Sequence, residues 1–419
     1  MESPFVYKGG ELFCENVPLV EIARQFGTPC YIYSYSRIVQ NYHVFDDAFS
    51  SVPHLIAYAV KANSNGAILR TLAREGSGAD VVSGGELARA LAAGIPPKRV
   101  VFAGVGKRQE ELARAVESGI LLVNIESLEE LESIHVIASE RKTRVRISIR
   151  VNPDVELKTH PYISTGRSED KFGLPVPQAL TAYRRAKAFP ELALVGIHMH
   201  IGSQITQLSP YQKALETLLS LVEVLAEEGI YPKFLDIGGG LGISYAEQPV
   251  PSPADLAAVV LPMIRDYGGT LLIEPGRAIL GDAGLLITEV LYRKPGLTQP
   301  FLIVDAGMND LIRPCLYGAQ HRVVPVVDPG GKKATVAVVG PVCESADVLT
   351  HECSLPQLKP GEYLAIKDVG AYGFSMASRY NSRPCPAEVM VKGEEAFLIR
   401  EREDLGDLTA RERIPPFLS

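Results

Sequence analysis

Eight short apolar runs, separated by longer helix-like segments, fill residues 55–275, and few folds accommodate that alternation. The runs are LIAYAV (55–60), ADVVS (79–83), RVVFAG (99–104), ILLVNIE (120–126), RVRISIRVN (144–152), ALVGIHMH (193–200), FLDIGGG (234–240) and TLLIEPGR (270–277). Amphipathic stretches such as GELARALAAG and YQKALETLLSLVEVLAEEG lie between them. The glycines of AAGI, ESGI and EEGI stand where helices should stop. Eight strands, each followed by a crossover, is the count of a (β/α)8 TIM barrel. An open doubly wound sheet alternates in the same way. Its dinucleotide fingerprint is missing from the first strand–helix turn, and GGGLG at 238–242 has the wrong spacing and comes too late.

After about residue 280 the texture changes. GLLITEVLYRK, PFLIVDAG, RVVPVV, ATVAVVGPV and EYLAIKDVG read as strands, with Pro and Gly between them. Similar short runs near the start, ELFCENV and CYIYS, are expected to join them. The predicted organisation is therefore an α/β barrel over 33–279 and an all-β, barrel-like domain built from 1–32 and 280–419.

With 419 residues, 46% of them hydrophobic, the chain can bury a large core. A net charge of -7 without a basic block argues against nucleic acid as a partner. No apolar run reaches membrane-spanning length. The segment MESPFVYKGGELF lacks an apolar signal core, and the six cysteines form no Cys-x-x-Cys pair. A reducing cytoplasm is the expected location.

A barrel of this kind keeps its chemistry at the C-terminal ends of its strands. Those ends carry Lys61, then Asp80 and Ser83, then Asn152, His198 and His200, Gly238 to Gly240, and finally Glu274, Gly276 and Arg277. Lys61 ends a run that reads as buried, and burial drives a lysine toward its neutral, nucleophilic form. Taken alone, a lysine at a strand end is most often simply solvated. Three glycines after a strand expose successive N–H groups as an anion nest, with a helix expected nearby, and the last two loops are the usual phosphate site of such barrels. A lysine amine facing a phosphate site points to pyridoxal 5'-phosphate, whose ring acts as an electron sink. Glu274 is the candidate partner for the ring nitrogen. His200, nearer the mouth than His198, is the candidate to pack on the ring face. A metal-dependent barrel hydrolase is the rival reading, because His198 and His200 share one strand face; it lacks further ligands, Glu274 being the one acid counted at another late strand end.

The ordered motifs YAVKAN, DVVSGGEL, HMHIGSQ, DIGGGLGISY, EPGR, DAGMNDLIRPCLYGA, GPVCESADVL and DVGAYGFSMASRYNSRP resemble those of the diaminopimelate decarboxylase family, in the alanine-racemase-like group of pyridoxal phosphate enzymes, over nearly the whole length. One departure is TGRSEDKFG, where the family usually has Ser before Lys171; that loop is expected to be peripheral. The resemblance implies that Lys61 carries the cofactor, His200 stacks on it, Ser203, Gly239 and Gly276 hold its phosphate, and Glu274 pairs with its ring nitrogen. It further implies that Arg277, which also borders the cofactor, joins Arg313 and Tyr317 to bind the distal end of the substrate. Glu344 receives the distal ammonium, Tyr372 lies between cofactor and substrate, and Cys343 delivers a proton. A homodimer with shared active sites, no metal, and meso-diaminopimelate as substrate are also implied.

An ornithine or arginine decarboxylase of the same fold is the nearest alternative. Its substrates have no distal carboxylate, so two arginines aimed at that end would be uncompensated charges. An amino-acid racemase would need a second base opposite Lys61. A non-catalytic cofactor binder has no use for Arg313, Tyr317, Cys343 and Glu344 together.

Overall fold

The computed structural model describes residues 3–156, 165–166, 170–245 and 248–418. Arg167, Ser168 and Glu169 of the TGRSEDKFG segment, and Ala246 and Glu247 of the Pro-rich loop, lie outside the described residues. The chain divides into two compact units, one of 38–244 and 248–279, the other of 1–37, 245–247 and 280–419.

The first unit is a closed barrel of eight parallel strands. They are β1 (His54–Ala59), β2 (Gly78–Val81), β3 (Val100–Phe102), β4 (Leu122–Ile125), β5 (Val145–Asn152), β6 (Leu192–His198), β7 (Phe234–Asp236) and β8 (Thr270–Ile273). Each pairs with its sequence neighbour, and β8 closes onto β1 through Leu271–His54, Leu272–Leu55 and Ile273–Ile56. Leu55, Ala57, Val101, Leu122 and Leu272 pack into one of its apolar clusters. The intervening helices are α1 (Gly66–Arg74), α2 (Gly84–Ala92), α3 (Gln109–Ser118), α4 (Leu128–Glu140), α5 (Val176–Lys187), α6 (Ser209–Glu227), α7 (Pro253–Met263) and the single-turn α8 (Arg277–Leu280).

Local sequence explains where these helices begin and end. Asn65, Ser83, Ser127 and Ser252 each accept a first-turn N–H of α1, α2, α4 and α7, replacing bonds a helix start lacks. Gly94, Gly119 and Gly229 follow α2, α3 and α6 with φ of +90°, +62° and +71°, which stops each helix where the glycines predicted it.

Several strands are shorter than their apolar runs. FLDIGGG yields only the three residues of β7, and TLLIEPGR only the four of β8. The run past each strand is loop at the barrel mouth, and that is where the chemistry-bearing residues fall. A buried ionic clasp also lies there: Arg150 on β5 reaches Glu126 after β4 at 2.8 Å, and Lys107 reaches Glu130 at 2.6 Å.

The second unit is mostly strands. Gly284–Lys294 runs antiparallel to Cys30–Ser34, Phe301–Val304 and Tyr363–Ile366, while Ala387–Lys392 runs parallel to Cys30–Ser34. Cys30–Ser34 is thus an interior strand of this mixed sheet, while Phe5–Lys8, Glu11–Cys14 and Val17–Pro18 form a small sheet of their own. Phe5, Leu12, Cys14 and Ile32 share one apolar core with Leu285, Ile287, Ala365 and Val389.

Candidate active site

Lys61 sits in a short 3-10 turn, Val60–Ala62, directly after β1. Its Nζ lies 2.7 Å from Oδ2 of Asp80, a fully buried residue of β2, while the lysine side chain is 32% exposed. Lys61 is thus partly exposed and held at the strand tip by an ion pair. Burial and the neighbouring Glu274 push the Asp80 carboxyl up, opposed by Lys61.

Glu274 follows β8 and is buried. Burial pushes its carboxyl up, but His198, Lys61 and His200 together outweigh that and hold it well below the usual carboxylate range. Asp236, at the tip of β7, is equally buried; burial and the Glu274 charge push it well up. The two neighbouring carboxyls are thus pushed in opposite directions, Asp236 up and Glu274 down. Oε1 of Glu274 has no hydrogen-bond partner among the described residues. A buried anionic oxygen without a donor is the environment a protonated ring nitrogen would complete.

His200 is half-buried, and its Nδ1 accepts the Gly239 N–H at 3.1 Å. That bond leaves its ring proton on Nε2. Burial, with the Lys61 and Arg150 charges, pushes its pKa well below the ordinary value, so the ring is neutral. The metal reading needs correction here. The acid it lacked is Asp236, which the sequence reading placed mid-strand; ligand atoms of His198, Asp236 and Glu274 lie within 4.8 Å of one another. His200, the second histidine of that reading, is outside this cluster.

The glycine triplet also differs from expectation. Among the described residues no helix directly follows it: Leu241 bridges to Ile205, and α7 begins at Pro253. The Gly238 N–H is taken by Asp236 Oδ1 at 2.9 Å and that of Gly239 by His200, so Gly240 is the triplet member whose N–H has no acceptor among the described residues. The glycines are needed chiefly for close approach. A Cβ on Gly239 would lie 1.9 Å from the Glu274 carbonyl oxygen, and one on Gly240 2.2 Å from that of Gly202. Gly239→Ala should therefore force the loops after β7 and β8 apart and cost about 3 kcal/mol or more, read as a shift in urea midpoint. An unchanged midpoint would show that those loops are not tightly apposed.

Arg277 opens α8 and is buried; its Nη2 donates to Ser203 Oγ at 3.0 Å, so these two predicted residues meet. Gly276 supplies the carbonyl that accepts the Ile279 N–H within the same turn.

In the second unit, Arg313 begins a five-residue helix, Arg313–Tyr317, and is buried. Its guanidinium lies 5.5 Å from the ring centre of Tyr245 and 5.6 Å from that of Tyr317. It donates to the Tyr245 hydroxyl at 3.3 Å and, through Nε, to His321 Nε2 at 3.4 Å. His321 Nδ1 lies 3.0 Å from the Lys367 carbonyl, which fixes the tautomer that leaves Nε2 as acceptor. Tyr245 ends the DIGGGLGISY motif without a role of its own in the sequence reading, and His321 lies outside every motif; only folding brings them to Arg313. Cys343 and Glu344 are exposed neighbours on one loop, and Tyr372 adopts φ of +58°, a costly conformation for a tyrosine.

A family model described as "Pyridoxal-dependent decarboxylase, pyridoxal binding domain" matches residues 35–281. The diaminopimelate decarboxylase of Aquifex aeolicus strain VF5 is 48% identical over 399 residues, covering 95% of this chain and 94% of that protein. The crystal structure of diaminopimelate decarboxylase from Helicobacter pylori complexed with L-lysine superposes with a TM-score of 0.91 at 44% identity, covering 94% of this chain and 98% of that one. That of M. jannaschii, also with L-lysine, gives 0.95 at 39% identity over 99% of both chains. With one pyridoxal-binding match across the barrel and such relatives aligned along nearly its whole length, the chain belongs to the diaminopimelate decarboxylase family of pyridoxal-dependent decarboxylases.

Proposed function

We propose that the protein uses pyridoxal 5'-phosphate to remove the carboxylate at the D centre of meso-2,6-diaminopimelate, producing L-lysine and carbon dioxide. The observation that carries this reading is Glu274: a buried carboxylate held anionic, with a donorless Oε1, in the same ring of strand ends as Lys61. The lysine held by the H. pylori and M. jannaschii relatives supports the product.

Bound there, the cofactor supplies an electron sink for the carbanion left when a carboxylate departs. Lys61 is the residue to carry it, with Asp80 orienting the amine. Glu274, whose carboxyl is held well below the usual range while that of Asp236 is pushed up, would pair with the ring nitrogen. His200 offers a neutral ring face that adds no competing charge. Ser203, Gly276 and the turn of Gly239, where the Gly240 N–H is the one without an acceptor among the described residues, are assigned to the phosphate, with Arg277 bordering the cofactor. Arg277, Arg313, Tyr317 and Tyr372 are assigned to the substrate, with Glu344 receiving the distal ammonium. Arginine suits the distal carboxylate because its planar fork binds both oxygens. The electron pair left on carbon when carbon dioxide departs is then quenched by the Cys343 thiol proton.

Incubation with meso-diaminopimelate and the cofactor should yield lysine, identified chromatographically, with ornithine a far poorer substrate. Arg313→Met should raise KM, a loss on the order of 2–5 kcal/mol in kcat/KM. Preference for ornithine over diaminopimelate would sink the assignment. The assembly proposed is a two-fold dimer in which Cys343 and Glu344 of each chain enter the other's site. A cytoplasmic location is proposed on the free thiols of all six cysteines; no helix among the described residues is long and apolar enough to cross a membrane.

A further inference from the structure

We propose that Asn381 is a positioning residue for Cys343: from a strained turn, its side-chain oxygen fixes the backbone of the residue that delivers the proton. This rests on the role proposed for Cys343 above.

Cys343 lies on the loop between strands Lys333–Val339 and Val348–Pro356. The base of that loop is held by the buried Asp347. Its Oδ1 accepts the Met308 N–H and its Oδ2 the Val342 N–H, both at 2.6 Å, and its carbonyl accepts from Gly340 at 3.1 Å. These bonds leave the Cys343 N–H unaddressed. That group donates instead to Asn381 Oδ1 at 2.8 Å. Beside it, the Tyr380 hydroxyl donates to Glu344 Oε2 at 3.3 Å. Two consecutive residues of one turn therefore hold two consecutive residues of the other.

The turn is costly to form. Asn381 has φ 56° and ψ 26°, and Ser382 has φ 55°. Asparagine tolerates the left-handed region; serine gains nothing there. Such a conformation persists only where its surroundings impose it. Here they do. Arg379, just before the turn, forks onto Glu403 at 2.9 and 2.8 Å, and Glu403 in turn accepts the Cys385 N–H at 3.1 Å just after it. The Ser378 N–H donates to the Asn309 carbonyl at 2.8 Å.

Stability is a poor reason for this arrangement. Cys343 and Asn381 are both exposed in the single chain, where water could satisfy the same N–H at little cost. What water cannot supply is a fixed direction for the thiol-bearing residue. A proton donor must meet its target within a narrow range of distance and angle, and a misplacement of about 1 Å costs about a hundredfold.

Asn381→Gly removes the acceptor oxygen while permitting the same backbone angles. Asn381→Asp keeps an acceptor in place. In the full-length holoenzyme, N381G should lower kcat about 10- to 100-fold with KM nearly unchanged and the thermal midpoint equal to or above wild type. Peptide-resolved alkylation by iodoacetamide, with the exposed Cys315 as internal reference, should show a severalfold change in the rate at Cys343. N381D should return both readouts most of the way. Wild-type kcat and Cys343 alkylation in N381G, or an N381D as impaired as N381G, would overturn the proposal while an inactive C343A leaves the role of Cys343 intact. Full activity in C343A overturns that role itself, and the positioning claim with it.

Discussion

Lys61→Ala protein, mixed with pyridoxal phosphate and treated with borohydride, should carry no cofactor on its barrel peptides, whereas wild type should be yellow, bleach, and retain the cofactor on the peptide containing Lys61. Activity should fall about a thousandfold or more, because the amine that anchors the cofactor is gone. The same substitution disturbs the fold in a way that can be separated from chemistry. Asp80 is fully buried, and its carboxylate is paired with Lys61 at 2.7 Å. Removing the lysine leaves a buried charge that costs about 3–5 kcal/mol unless it takes up a proton, as its already raised pKa favours. A Lys61→Ala, Asp80→Asn double variant should therefore recover thermal stability without recovering cofactor fixation. Borohydride-trapped cofactor on K61A at the wild-type level would show that another amine is the anchor.

The second large effect concerns assembly. Lys61→Ala and Cys343→Ala proteins should each be nearly inactive. Unfolded together and refolded, they should form some mixed dimers, and in each of these one site holds both native residues if the sites are shared. Up to about a quarter of wild-type activity should then return, since roughly half the dimers are mixed and half their sites are intact, as isologous symmetry requires. No recovery, with mixed dimers demonstrated by mass spectrometry, would mean that each chain builds its site alone.

Much of this molecule is written in local pattern. The run LIAYAV becomes a buried strand because β-branched and aromatic side chains suit a strand covered on both faces, and a lysine at its end must emerge at the mouth. The strand CYIYS and the run GLLITEVLYRK were placed to the residue for the same reason. Repetition of strand and helix eight times then leaves a barrel as the economical closure, and the barrel alone says which end of each strand matters.

Other features required three dimensions. The apolar character of Ile237 extended FLDIGGG as a strand and hid Asp236, whose meaning lies in its closeness to Glu274 on the neighbouring strand. The glycine triplet looked like a nest of open N–H groups. Folding gives two of those groups to Asp236 and His200, and the Glu274 and Gly202 carbonyls crowd the remaining space. Lys61 at a strand tip said nothing of its partner, and pairing with Asp80 on the next strand sets its environment. Sequence by itself determined the order of strands, their buried faces and the residue types at their tips, because these follow from short-range periodicity. Only the tertiary structure decided which acid is pushed up and which down, which N–H groups are already taken, and that Tyr245, His321 and Asn381 hold Arg313 and Cys343, because charge coupling and hydrogen bonding depend on distances across strands and loops far apart in the chain.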